Sequence, residues 1–126
     1  MSVGFKELEG LQVRIDRVVF SPEFETPQDR PYAFVYSITI LNNSGEPVTI
    51  KGRKWVITES DGSRFVVEGD GVVGEFPRLM PGEHFSYKSY MTVATDSYAE
   101  GAYLGVTDEE VPVLVRIPRF TMHIPQ

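Results

Sequence analysis

The chain has 126 residues, of which 41% are apolar, 24% charged and 12% aromatic, the composition of one globular domain and not of a disordered segment. With 18 acidic against 12 basic residues the net charge is -6, which repels phosphate backbones and anionic lipid and argues against nucleic acid and membranes as partners. Cysteine is absent, which excludes disulfides, thiolate metal ligands and a thiol nucleophile, and fits a reducing cytoplasm.

The first ten residues, MSVGFKELEG, have no apolar core behind a basic end, and no later stretch is apolar enough to span a bilayer, so a soluble cytoplasmic protein is expected. Residues 1–10 read as an N-terminal arm, with Phe5 and Leu8 spaced as in one helical turn or a loose arm folded onto the domain, and residues 11–126 as the domain. From Leu11 the apolar period becomes two. Val13 and Ile15 are followed by a one-residue slip before Val18 and Phe20, which predicts a β-bulge at Asp16 and Arg17. Pro22, Pro27 and Pro31, with Glu23, Glu25 and Asp29, make residues 21–31 a solvated loop. Tyr32, Phe34, Tyr36, Ile38 and Ile40 then alternate as the apolar face of a core strand.

Residues 42–46, NNSGE, read as a hairpin connection. The next strand carries Val48 and Ile50, breaks near Gly52 and resumes on the other parity at Trp55 and Ile57, as a bulge or a change of sheet would produce. Asp61 and Gly62 make a turn into a short strand with Phe65 and Val67. At the end of the stretch 68–90, EGDGVVGEFPRLMPGEHFSYKSY, and just beyond it, Phe85, Tyr87, Met91 and Val93 share a parity. Residues 107–110 form an acidic turn. Val111, Val113, Val115 and Ile117 alternate up to Pro118, and Phe120, Met122 and Ile124 continue on the opposite phase. Seven to eight two-period strands with regular turns predict an all-β, antiparallel β-sandwich, immunoglobulin-like or fibronectin type III-like. Trp55 on the third strand fits the tryptophan such folds bury, and residues 100–103, EGAY, resemble a tyrosine corner.

Gly69, Gly71 and Gly74 spell G-x-G-x-x-G, and Asp96 follows at a distance that suits a ribose-binding acid. A dinucleotide fingerprint needs a helix directly behind its glycines, however, and Pro77 and Pro81 stand where that helix would run. Glu68, Asp70 and Glu75 would oppose a phosphate unless Mg²⁺ intervened, and are themselves weak candidates for a hard-cation site. The simplest role for the glycines is to permit positive φ in a long loop. His84 and His123 are the only histidines and lack partners at metal-ligand spacing; no serine sits in a nucleophile elbow. What this loop adds is apolar content: Val72, Val73, Phe76, Leu79 and Met80, some covering the core and the rest available to a partner.

Four ordered segments, PYAFVYSITILNNSGEPVTI, GRKWVITESDG, GDGVVGEFPRLMPGEHFSYKS and VRIPRFTMHIP, closely resemble the signature of the ApaG domain family. The resemblance covers residues 11 to 125 and implies a fibronectin type III-like sandwich. It also implies a link, by name and context, to cobalt and magnesium tolerance and to diadenosine tetraphosphate metabolism. The family includes small stand-alone bacterial proteins, a module of an F-box protein and one of a protein that interacts with DNA polymerase delta, and it brings no agreed catalytic residues. Two departures are Lys54, where the family usually has histidine, and residues 95–98, TDSY, where it usually has a TPxG-type turn. The expectation is a non-enzymatic module without a cofactor. It binds a protein partner, with a second copy of the chain also admissible, through Val72, Val73, Phe76, Leu79 and Met80 of the loop 69–82. The alternative is a sensor of nucleotide polyphosphate or pyrophosphate, with Mg²⁺, at Gly69, Gly71 and Gly74.

Overall fold

Period-two patterning yields nine strands and no helix among the residues described, 4–125 of a computed structural model. They are β1 Lys6–Glu7, β2 Leu11–Phe20, β3 Tyr32–Asn42, β4 Val48–Glu59, β5 Arg64–Asp70, β6 Arg78–Leu79, β7 His84–Val93, β8 Ser97–Thr107 and β9 Pro112–Met122. One sheet runs β1-β9-β8-β4-β5, with β6 also on β4, and the second runs β2-β3-β7. Seven strands are longer than two residues. They pack as β2-β3-β7 on β9-β8-β4-β5, the three-on-four order of a fibronectin type III-like sandwich.

The core is what the alternation predicts. Tyr36, Ile38 and Ile40 of β3 face Trp55 and Ile57 of β4, Tyr103 of β8 and Val113 of β9, all buried. Trp55 forms a three-ring cluster with Tyr36 and Phe120, at centroid distances of 5.3 and 5.7 Å, those two rings being 5.9 Å apart. The phase slips in the sequence are bulges in the ladders: between Ile15 and Arg17 of β2, between Ile50 and Gly52 of β4, and opposite Pro118, where β8 shifts between Ala99 and Gly101. A proline fits there because a bulge releases it from the ladder hydrogen bonds.

Three expectations are corrected. Residues 42–46 are not a hairpin connection, since β3 and β4 lie in different sheets and the turn carries the chain across the sandwich. Turn chemistry specifies a reversal of direction without naming the sheet that receives it. Residues 100–103 are not a tyrosine corner. Tyr103 sits mid-strand in β8, and its hydroxyl shares a hydrogen bond with that of Tyr87 on β7 in the opposite sheet. The described part of the arm does fold onto the domain, but as a strand and neither as a helical turn nor loosely: β1 pairs in parallel with β9 and Arg116 Nε donates to Glu7 Oε1 at 3.0 Å. Residues 1–3 of the arm lie outside the described residues. No helix is long and apolar enough to cross a membrane among the described residues.

Candidate functional site

Strand β5 continues to Asp70, so Glu68 and Gly69 belong to the sheet, paired with Lys54 and Arg53, and the loop proper begins at Gly71. Gly71 has φ 63°, and a Cβ there would collide with the carbonyl of Glu75. The chain then makes a tight hairpin of its own. Val72 N donates to Glu75 O at 2.8 Å and Glu75 N donates to Val72 O at 2.9 Å, with Val73 (φ 44°) and Gly74 (φ 81°) at the corner. Two successive positive φ values make a type I′ turn, which favours Asn-Gly; a β-branched residue in the first corner position is a backbone outlier.

The segment beyond is fastened from inside. Val72 is fully buried, Leu79 is nearly so, and β6 holds Leu79 opposite Val48 of β4. Ile50 N donates to Pro77 O at 2.9 Å. Asn42, itself fully buried, donates from Nδ2 to the carbonyls of Leu79 and Glu46, both at 2.8 Å. Its backbone exchanges hydrogen bonds with the same region: Gly82 N donates to Asn42 O and Asn42 N donates to Glu83 O. On the surface, Arg78 is ion-paired with Asp108, and the hydrogen bond from Arg78 holds that carboxyl below the usual carboxylate range.

These anchors divide the five apolar candidates. Val73, Phe76 and Met80 are exposed by 48%, 53% and 43%. Val72 and Leu79 point into the core, so their assignment to a partner face is corrected: they hold the segment in place. The Lys51 ammonium, on the β4 bulge, lies 5.7 Å from the Phe76 ring centroid. Arg53, two residues before Trp55, rests its guanidinium on Gly69 and donates from Nη1 to the carbonyls of Asp70 (2.8 Å) and Gly71 (3.1 Å).

The same geometry defines the glycine motif. Gly69 is in the β4–β5 ladder, the amide of Gly71 donates to Lys51 O at 2.8 Å, and the amides of Val72 and Glu75 satisfy each other's carbonyls. The next long element is strand β7 and not a helix, so the helix N-terminus of a dinucleotide-type pyrophosphate cradle is missing from this motif. Glu68 lies 3.7 Å from Lys54 Nζ. No group of three or more His, Cys, Asp or Glu side chains is placed to hold a metal ion among the described residues, so Glu68, Asp70 and Glu75 do not form a ligand set. Sequence reasoning missed Asn42 and Arg53. The first was visible only as one polar residue in a turn cluster, and the second as one charge within a strand.

Fold and site together define a class: a small all-β sandwich of fibronectin type III-like order with one partly apolar segment anchored on its surface by hydrogen bonds and buried side chains. The ApaG domain profile matches residues 22–107, and the chain belongs to the ApaG domain family. It is 37% identical over 111 residues to Protein ApaG of Methylococcus capsulatus, covering 87% of this chain and 88% of that protein. It is 39% identical over 114 residues to Protein ApaG of Xanthomonas campestris pv. campestris, covering 86% and 90%. Among solved structures, it superposes on a Bordetella pertussis protein with TM-score 0.82 at 31% identity, over 98% of this chain and 99% of that one.

Proposed function

We propose that this chain is a non-enzymatic binding module of the ApaG type, working in the cytoplasm, which recognises a protein partner through Val73, Phe76 and Met80. The observation that carries the reading is the exposed Val73 in a turn conformation that a β-branched residue adopts only at a cost. Beside it stand two more exposed apolar side chains on a segment whose backbone is already ordered by Val72, Leu79 and Asn42. A preordered face loses little entropy on docking, and clustered apolar side chains supply the contact energy. On this reading, the family's link to cobalt and magnesium tolerance runs through what the partner does.

Affinity capture with wild type and with Phe76→Asp/Met80→Asp, both positions being exposed, tests the proposal. The expected result is a specific partner, or a second copy of the chain, that is retained by wild type and lost by a variant with an unchanged melting curve. Retention of every specific partner by the folded variant removes this face from consideration.

A further inference from the structure

Strands β5 and β7 each form one edge of their sheets, and a cleft of about 350 Å³ lies between them, lined by residues that include Arg30, Tyr36, Arg53, Trp55, Phe65 and Ser89. Its volume is at the lower end of small-molecule sites. Its charge runs against that of the whole chain. Two arginines and no carboxylate line it, although acidic residues outnumber basic ones by 18 to 12 overall. Neither Arg30 nor Arg53 is in an ion pair among the described residues.

Both guanidinium groups are nevertheless held in position. Arg53 is fixed by the carbonyls of Asp70 and Gly71, and Arg30 lies 5.2 Å over the ring of Phe65. The remaining walls are aromatic, aliphatic and hydroxylic, with Ile57, Val67 and Met91 among them. Trp55, only 2% exposed, has an indole N–H with no acceptor, and such buried unpaired donors are rare in folded proteins. Arginine held beside aromatic planes is the pairing that suits a delocalised anion attached to a flat body. None of Val73, Phe76 and Met80 lines this cleft, so it is separate from the partner face.

We propose that the cleft binds a small organic anion, an oxyanion group on a flat apolar body, with Arg30 and Arg53 holding the charge. Phe65, Tyr36 and Trp55 enclose the body. A carboxylate and a phosphate ester share this chemistry, and the two are separable by probe.

Trp55 is the one tryptophan and lines the cleft, so its indole N–H gives a single resonance that can be followed there. The folded chain is titrated with benzoate, with phenyl phosphate and with neutral benzamide at matched ionic strength. The expected result is a saturable shift of the Trp55 indole and of the Ser89 and Tyr90 amides with at least one anion and none with benzamide. The anion that binds more tightly identifies the group. Arg30→Gln, on the solvated loop, is expected to weaken binding by about tenfold or more, as loss of one charged hydrogen-bond partner does. Arg53→Gln has the same expected effect, and the Arg30 variant keeps the test valid if loss of Arg53 disturbs the Gly71 turn. No shift with either anion at millimolar concentration, an equal response to benzamide, or binding unchanged in Arg30→Gln would overturn the proposal.

Discussion

Val73 bears a conformational cost that an asparagine in its place would largely escape. Its φ of 44° puts a β-branched side chain in the left-handed region, at about 1–2 kcal/mol for an ordinary L-residue. Asn-Gly is the favoured pair for this turn, so Val73→Asn is predicted to raise unfolding stability by about 1 kcal/mol in urea titration. The same change removes an exposed apolar contact, so the stabilised variant should capture less partner. A variant that is both less stable and fully competent in capture would show that the valine contributes nothing to recognition. Val72 and Val73 are adjacent and of one type, yet one is buried and the other is half exposed. The turn decides this by putting Val73 at its corner and Val72 at its base, and Val-Gly does not announce a hairpin in sequence as Asn-Gly would.

Two elements depend on polar groups inside the sandwich. Asn42 ties β3 to the segment carrying β6, and Asn42→Ala leaves the Leu79 carbonyl without its side-chain donor. The predicted cost is about 1–3 kcal/mol for a buried unsatisfied group, with amides of residues 78–83 losing hydrogen-exchange protection before those of β3 and β4. The second element pair is β7 and β8, joined across the core by the Tyr87 and Tyr103 hydroxyls. Burial pushes both phenols well above their usual range. The folded state therefore keeps protons that the unfolded chain releases near pH 10, so this contribution to stability is fully present below about pH 10 and is lost as the pH rises beyond it. Tyr103→Phe should flatten that alkaline decline in melting experiments. An equally steep decline in the variant would assign it to other groups.

At the scale of the whole molecule, alternation and its interruptions carried most of the fold. Slips at Asp16, near Gly52 and at Pro118 each correspond to a bulge, because side chains on a strand alternate strictly and one extra residue must reverse the faces. Strand β8 was not legible. Ala99, Gly101, Ala102 and Gly105 give it no strong apolar period, and Gly101 is small because a Cβ there would collide with the backbone of Lys54 on the neighbouring strand. The sheet assignment of β4 was equally hidden, as was the division of the loop into pegs and exposed side chains, since both depend on long-range packing. The glycine motif was legible as loop chemistry once its prolines were weighed.

The central claim is that one face of the domain, built on residues 71–82, recognises a protein. Hydrogen exchange on the complex with the captured partner tests it most directly. The account predicts added protection concentrated at residues 71–82 and at the adjoining β4 bulge around Lys51, with β1 and the outer edge of β9 unchanged. Protection concentrated on β1 and β9, with residues 71–82 exchanging as in the free protein, would contradict it.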